Sequence, residues 1–527
     1  MAMKLMQLSI RSATLLLGLC LTVCAAAKSS DEPSSSSKRQ KSVVILYEND
    51  VHCAIDGYAK LAGLRDAIVA ADTACVGIVS SGDFLNGALP GTISSGQYIV
   101  DLMCRVGYDA IAPGNHEFDF GVPRMTALLP QINAPVVCTN LFREDDQRPL
   151  YPGGVIKSYG EKRIGYVGVC TPASMVDEAY AFFDENGRKR YDLRPDDIVT
   201  LVQHAVDSMR RAGADYVVVL SHLGEVNFNG FIDSHALIGK LSDVDALLDG
   251  HTHSVVPCDR VQDRNKHEIP VTQTGTQFAH IGKLLISADG RISTSLIPIK
   301  DIPYSSPQVT ATADSIKRLI SAITDEVIGQ NDFELVAADS LGDWLVRKGE
   351  TNLGDLCADA FRERCSADIG LVNGGGIRNN IAPGTITFGD AVNALPYCDL
   401  MCKIEVSGEM LLNMLKKCTE RYPQKDGSFP QVSGLKFTLH TSPHAVTDVQ
   451  VLNRTTSQYE PLRPDGSYTV AVSDYYKSGF GGTLKNAASI EQTTEVTYTV
   501  LSEYIKNTLK GDVSAYRAPQ GRIVIED

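Results

Sequence analysis

Five short apolar runs in the first half of the chain each lead into a polar residue able to bind a metal ion. Residues 43–47 precede Asp50 and His52, and residues 76–79 precede Gly82-Asp83. Residues 108–112 precede Gly114-Asn115-His116-Glu117, residues 216–220 precede Ser221-His222, and residues 246–248 precede Gly250-His251-Thr252-His253. Short β-rich runs alternating with helical stretches predict an α/β sheet. In such sheets ligands gather beyond the carboxyl ends of the strands, so the five tips are expected to converge on one crevice. A single histidine or aspartate in a loop is ordinarily a turn or a satisfied polar group. Five strand tips ending this way are not.

The convergent donors are Asp50, Asp83, Asn115, His52, His222, His251 and His253. Two carboxylates, one amide and four imidazoles exceed what one tetrahedral ion takes, but they suit two adjacent cations sharing a bridging carboxylate. Oxygen and nitrogen donors accept Zn²⁺, Mn²⁺, Fe or Co²⁺ alike, so the pattern leaves the metal open. Cys53 follows His52, and on an extended strand its side chain faces the opposite way, into the core. Competing motifs fail. Gly91 to Gly96 has the glycine spacing of a phosphate loop, but Gln97 stands where the lysine belongs, and no GxSxG elbow is present.

Composition narrows the partners. With 49 basic and 63 acidic residues the net charge is −14, which disfavours gripping a nucleic-acid polymer and leaves small anions, bound where metals or a few arginines reverse the field. A hydrophobic fraction of 43% over 527 residues is enough for two large domains. Residues 13–23 form an apolar run behind Lys4 and Arg11, and Ala25-Ala26-Ala27 offers a cleavage site. This predicts an export signal over residues 1–27, and a periplasmic or extracellular protein. A second reading is lipid attachment at Cys24, with the Ser-rich residues 29–37 as tether. No run reaches the length needed to span a bilayer. Eleven cysteines lie beyond the signal, an odd number, and most sit in apolar runs where a buried thiol is expected.

The pattern predicts a linker over residues 28–41, a first domain over 42–305, a connecting helix over 306–329 and a second domain over 330–527. In the connecting segment Ile316, Leu319, Ile320, Ile323 and Val327 follow helical spacing.

Asp50-x-His52, Gly82-Asp83, Gly114-Asn115-His116-Glu117-Phe118-Asp119, His222 and Gly250-His251-x-His253 together resemble the calcineurin-like metallophosphoesterases. The six-residue form at 114–119 resembles the 5′-nucleotidase branch. Two second-half motifs are also similar to that branch, Glu350-Thr351-Asn352-Leu353-Gly354-Asp355 and Asn373-Gly374-Gly375-Gly376-Ile377-Arg378. The resemblance implies a four-layer αββα metallophosphatase domain followed by a smaller α/β substrate-binding domain. It implies one metal on Asp50, His52, Asp83 and His253, another on Asp83, Asn115, His222 and His251, and a bridging Asp83. It further implies His116 as the residue that stabilises the transferring phosphoryl group, with Asp119 orienting it, although alone Asp119 reads as a cap.

In the second domain the resemblance implies substrate contacts from Asn373, Gly376 and Arg378, where an isolated reading would see a glycine turn and a surface arginine. Tyr397, after Leu395-Pro396, and Tyr475 in preference to Tyr476, would stack on a base. Two departures touch the leaving group. Gly481 stands where the family pattern has a carboxylate, and Gly349 where an arginine is frequent, with Arg347 and Lys348 nearby. The implied activity is hydrolysis of nucleoside 5′-monophosphates, with rotation of the second domain carrying substrate to the metals. Alternatives on the same fold are a 2′,3′-cyclic nucleotide phosphodiesterase, a UDP-sugar hydrolase or another phosphoester hydrolase. A non-catalytic surface binding protein is disfavoured because none of the seven ligands is missing.

Overall fold

The computed structural model describes residues 41–184, 187–227, 230–397, 399–479, 483, 484 and 487–526. The signal, the linker up to residue 40, Cys24 and Gly481 lie outside these residues. Two sheets face each other in the first domain. One has five strands, with Ser42–Glu48 at its centre between the parallel Ala74–Ser80 and the antiparallel His280–Ile286. The other has six, with Tyr216–His222 running parallel to both Lys162–Cys170 and Ala246–Leu248. Val43, Ile45, Tyr47 and Val79 of the first sheet pack against Tyr166, Val218, Leu220 and Leu248 of the second in a dry layer. These strands read as continuous apolar runs because both of their faces are covered.

Helices close the outer faces. Ile55–Ala70, Gln97–Val106 and Pro307–Thr324 cover the first sheet, and Ile198–Arg211 covers the second, giving the αββα order. Parallel register aligns the strand ends: Glu48 sits opposite Ser80, and Cys170 opposite His222. The ligand-bearing loops therefore leave both sheets at one edge.

The connecting helix is shorter than the spacing predicts. It ends at Thr324, and Val327 belongs to the strand Val327–Asn331, which pairs with Gly384–Thr387. Val309, Ala313, Ile316 and Ile320 are buried, whereas Leu319, Ile323 and Val327 are 50%, 40% and 60% exposed. The stripe facing the core thus keeps Ile316 and Ile320 of the expected one but leaves Leu319 and Ile323 outside. An apolar residue past the last turn fits a strand edge as well as a helix, and tertiary pairing decided it.

The second domain carries a five-stranded sheet ordered Pro430–Ser433, Ile369–Asn373, Ser467–Ser473, Leu400–Ser407, Ala488–Val496. Helix Asn352–Arg364 packs on one face and Gly408–Thr419 on the other. The 350–355 motif is architectural. Thr351 caps the helix by accepting the Gly354 N–H at 3.0 Å. Glu350 Oε2 accepts the N–H groups of Arg522 and Ile523, at 2.8 and 2.9 Å, and Asp355 Oδ2 accepts that of Gln520 at 2.9 Å. Together they clamp the terminal strand Ile523–Glu526 to the domain.

Candidate metal centre and substrate cavity

The seven predicted donors meet at the shared edge of the two sheets. Asp83 is fully buried and organises them. Its Oδ1 accepts the backbone N–H of His116 at 2.8 Å, which leaves Oδ2 facing His222 Nε2 at 3.1 Å and His52 Nε2 at 3.9 Å. Asp50 Oδ1 lies 3.4 Å from His253 Nε2, 3.7 Å from His222 Nε2 and 3.9 Å from His52 Nε2. His52 and His253 bring their Nε2 atoms to 2.9 Å of each other, and His251 Nδ1 lies 2.9 Å from Asn115 Oδ1.

Asp50, His52, Asp83, His251 and His253 all take positive φ, between 43° and 80°. L-residues rarely hold that conformation, and such backbone clusters at functional sites. The turn continues through Cys53 at φ 63°, so Cys53 is buried as expected but lies in a left-handed turn and not on an extended strand. The motif glycines have a direct cause. A Cβ on Gly114 would stand 2.2 Å from Asp83 Oδ1, and one on Gly82 would stand 2.3 Å from the Gly114 nitrogen. The loops approach too closely for any side chain there.

This donor set fits divalent metal ions. His222 Nδ1 donates to the Ser81 carbonyl at 2.7 Å, fixing the tautomer, and its buried Nε2 has no well-directed hydrogen bond. His52 Nδ1 is held at 3.1 Å by the Asn86 carbonyl, so its Nε2 also points inward. A metal-binding histidine is ordinarily oriented in this way by its second nitrogen. Burial opposes a charge on His222, but Asp83 and Asp50 pull its pKa up to about 10. Burial and the His222 charge push His251 down to about 4. The two carboxylates thus draw positive charge into the pocket.

His116 Nδ1 lies 2.8 Å from Asp119 Oδ2, beside the metal donors. Burial works against its charge, yet Asp119 and Asp83 hold it well above the ordinary histidine range. Asn86 donates to the same Asp119 oxygen at 2.8 Å. Thr92 Oγ1 donates towards Asn86 Oδ1 at 3.2 Å and towards the Pro396 carbonyl of the second domain at 3.1 Å.

A cavity of about 390 Å³ runs from this pair into the second domain. His116, Asp119 and Asn115 line one end, and Asn373, Gly376, Arg378, Tyr397 and Tyr475 line the other. Tyr476 instead turns into the core and donates to the Ser428 carbonyl at 3.1 Å.

Three further residues of the site, Arg347, Glu178 and Glu117, are not among the predicted site residues. Arg347 lines the cavity with Arg378, and the two guanidinium carbons lie 4.9 and 5.4 Å from the centre of the Trp344 ring. Arg347 therefore brings a second cation to the cavity, two positions before Gly349. Glu178 accepts the Asn115 amide at 3.1 Å. Glu117, fully buried, accepts the N–H groups of Phe84, Leu85 and Gly114 at 2.8, 3.0 and 2.5 Å. The signal for Glu117 was available: a carboxylate inside a metal-binding motif that is not itself a ligand needs another task.

Two family models match in the order of the domains, calcineurin-like phosphoesterase over residues 43–255 and 5′-nucleotidase, C-terminal domain, over residues 327–488. Between them the two models cover most of the chain, in the domain order of the 5′-nucleotidase family. This family lies within the metal-dependent phosphoester hydrolases, and its two-domain plan is the one described above. Among curated relatives, a trifunctional nucleotide phosphoesterase of Bacillus subtilis is 26% identical over 88% of this chain and 34% of the relative, so the chain spans about a third of that protein's length. A 5′-nucleotidase of Diplobatis ommata is 26% identical over 92% of this chain and 89% of the relative. The crystal structure of a 5′-nucleotidase precursor from Thermus thermophilus superposes with a TM-score of 0.66 at 24% identity, covering 92% of this chain and 99% of that one. That likeness concerns the fold.

Proposed function

We propose that this chain is a member of the 5′-nucleotidase family, an exported dinuclear-metal phosphohydrolase that releases phosphate from nucleoside 5′-monophosphates. The observation that carries the reading is Asp83, whose Oδ2 faces His52 on one side and His222 on the other, while its Oδ1 holds the backbone of His116, which lines a cavity leading to Arg378 and the two tyrosines. Asp50, His52, Asp83 and His253 hold one cation, and Asp83, Asn115, His222 and His251 the other. Bound there, two cations supply Lewis-acid polarisation of the phosphoryl group and an acidified water. Zn²⁺, Mn²⁺, Fe and Co²⁺ all suit the donors.

The protein's own groups do the rest. His116, kept charged by Asp119, donates a hydrogen bond to a phosphoryl oxygen as negative charge develops there. Arg378 and Arg347 neutralise the remaining phosphate oxygens, and the backbone of Asn373 to Gly376 permits close approach. Tyr397 and Tyr475 grip the base by stacking. Export rests on the sequence of residues 1–27. No helix among the described residues is long and apolar enough to cross a membrane.

A second reading, a 2′,3′-cyclic nucleotide phosphodiesterase or another phosphoesterase, draws on the multiple activity named for the Bacillus subtilis relative. One panel separates them: hydrolysis of AMP and UMP read as inorganic phosphate, and of UDP-glucose, 2′,3′-cyclic AMP and bis-p-nitrophenyl phosphate read as the monoester or p-nitrophenol formed, with added Mn²⁺ or Zn²⁺, alongside metal content of wild type and Asp83→Ala. The nucleotidase predicts AMP or UMP turnover and about two metals per chain, both lost in the variant. Activity confined to the diesters overturns the substrate, and silence across the panel overturns the enzyme.

A further inference from the structure

Asparagine is an awkward metal ligand. The two ends of its amide have nearly the same shape, but only Oδ1 can bind a cation, while Nδ2 presents two N–H groups. Asn115 is the one amide among the seven donors, so something must decide which of its ends faces the metals. Its Oδ1 lies 2.9 Å from His251 Nδ1, on the metal side, and its Nδ2 donates to Glu178 Oε1 at 3.1 Å. Turning the amide over would aim its N–H groups at a cation and set Oδ1 against a carboxyl oxygen.

The fold holds Glu178 in place for this task. It sits between the short helices Ser174–Asp177 and Ala179–Phe182. There its N–H donates to the Ser174 carbonyl at 2.9 Å, and its own carbonyl accepts the Ala181 N–H at 2.8 Å. Its side chain is buried. Alternate residues of the same segment meet the rest of the 115–119 turn. Tyr180 donates to the Asp119 carbonyl at 3.1 Å, and the centre of the Phe182 ring lies 4.7 Å from that of Phe118. Of these contacts, only the one from Glu178 reaches the side chain of a metal donor. Burial, and then the Asp119 charge, hold the Glu178 carboxyl well above the ordinary carboxylate range. Among the described residues its Oε2 has no hydrogen-bond partner, so a proton on Oε2 leaves Oε1 the acceptor. The hold on the amide is therefore the same in either charge state.

We infer that Glu178 is a positioning residue whose Oε1 fixes the Asn115 amide with Oδ1 towards the cation held by Asp83, Asn115, His222 and His251, so that the affinity of that one site depends on it. The inference rests on the dinuclear reading above and deepens it.

The test is a double-mutant cycle on metal binding. It is read as Mn²⁺ per chain over a range of buffered free Mn²⁺, and by electron paramagnetic resonance, which tells a lone ion from a coupled pair. Glu178→Met keeps the length of the side chain but offers no strong acceptor. With Asn115 present it should weaken one ion by about 10–100-fold, the usual cost of losing such support, and leave the other within about threefold. An aspartate at 115 has two equivalent oxygens and no end to choose. In the Asn115→Asp background, Glu178→Met should therefore cost nothing or improve binding, since it also removes a facing carboxyl. Glu178→Gln, which retains an acceptor oxygen, should keep most of the wild-type affinity.

An equal cost in both backgrounds means ordinary packing and overturns the inference. So does a Glu178→Met protein with both affinities intact, or a Glu178→Gln protein as weak as Glu178→Met. Glu178→Ala gives the same comparison should methionine not be accommodated. Wild type that binds fewer than two ions per chain overturns the dinuclear reading and the inference with it. The other outcomes leave that reading standing, which separates the two failures.

Discussion

The carboxylate of Glu117 accepts the backbone N–H of Asp83 at 2.8 Å, so a residue that is not itself a proposed metal ligand fixes the loop that carries Asp83. Asp83 has φ 61°, a conformation its own chemistry disfavours. The same carboxylate holds Phe84, Leu85 and Gly114, joining the loops that follow two strands. Burial, and next the Asp83 charge, raise the Glu117 carboxyl to about 7, against the hydrogen bonds that lower it.

Replacing Glu117 by Gln keeps the shape but turns one oxygen into a donor facing backbone N–H groups. Loss of such outer support for a metal site typically costs about 10–100-fold in metal affinity or activity. Titration of the apo protein with Zn²⁺ or Mn²⁺ should show a fall of that order in Glu117→Gln. Wild-type affinity would show that the loops hold their shape unaided.

The His116–Asp119 pair should separate in mutation. His116→Ala removes the group proposed to meet the phosphoryl oxygen, and kcat should drop by about 10²–10⁴-fold. Asp119→Asn retains the imidazole but weakens its charge and orientation, so the expected loss is smaller and lies in kcat more than in KM. Equal losses in both variants would mean that Asp119 has a task of its own.

Arg347 and Arg378 should act on binding. A hydrogen bond to a charged group is worth about 1.5–3 kcal/mol, so Arg347→Ala should raise KM for AMP by about 10–100-fold. Arg347→Lys should recover only part, because an ammonium cannot stack on Trp344 or present a planar fork. An unaltered KM in Arg347→Ala would remove this residue from the substrate contacts.

The clamp at Asp355 makes stability depend on pH. Burial raises its carboxyl to about 8; Arg522 opposes the rise, and Glu350, sharing a hydrogen bond with it, adds to it. The unfolded value is about 3.9. A folded pKa above the unfolded one means that the folded state keeps the proton longer. The stabilisation is therefore complete below about pH 4 and is lost as pH rises through about 8. Wild-type Tm should fall by a few °C between pH 5 and 8 through this group, on the scale of about 2–4 °C per kcal/mol for domains of this size. Asp355→Asn, which cannot ionise, should flatten that part of the profile. A slope equal to wild type would show that the proton is held elsewhere.

The apolar runs and the polar residues after them predicted an α/β sheet with seven candidate donors at its strand ends, and the αββα layering was what the family resemblance implied; alternating strands and helices leave few ways to bury both faces of a sheet. Each donor sits next to its own strand, so local spacing carried it. His116 and Asp119, a pair the resemblance implied, lie three residues apart on one turn and meet at 2.8 Å. What lay beyond local reach was decided by tertiary structure. The connecting helix stops at Thr324 because Val327 finds a strand partner in Thr387, sixty residues on. Arg347 enters the cavity because Trp344 and Arg378 stand around it. Asp399 becomes a cavity residue only where Thr497, Asp474 and Thr92 fix its segment against the first domain. The sequence determined which chemistry the chain can perform, since that depends on residue types at strand ends. Packing between distant segments decided which side chains surround the cavity, because no short-range pattern encodes a contact between two domains.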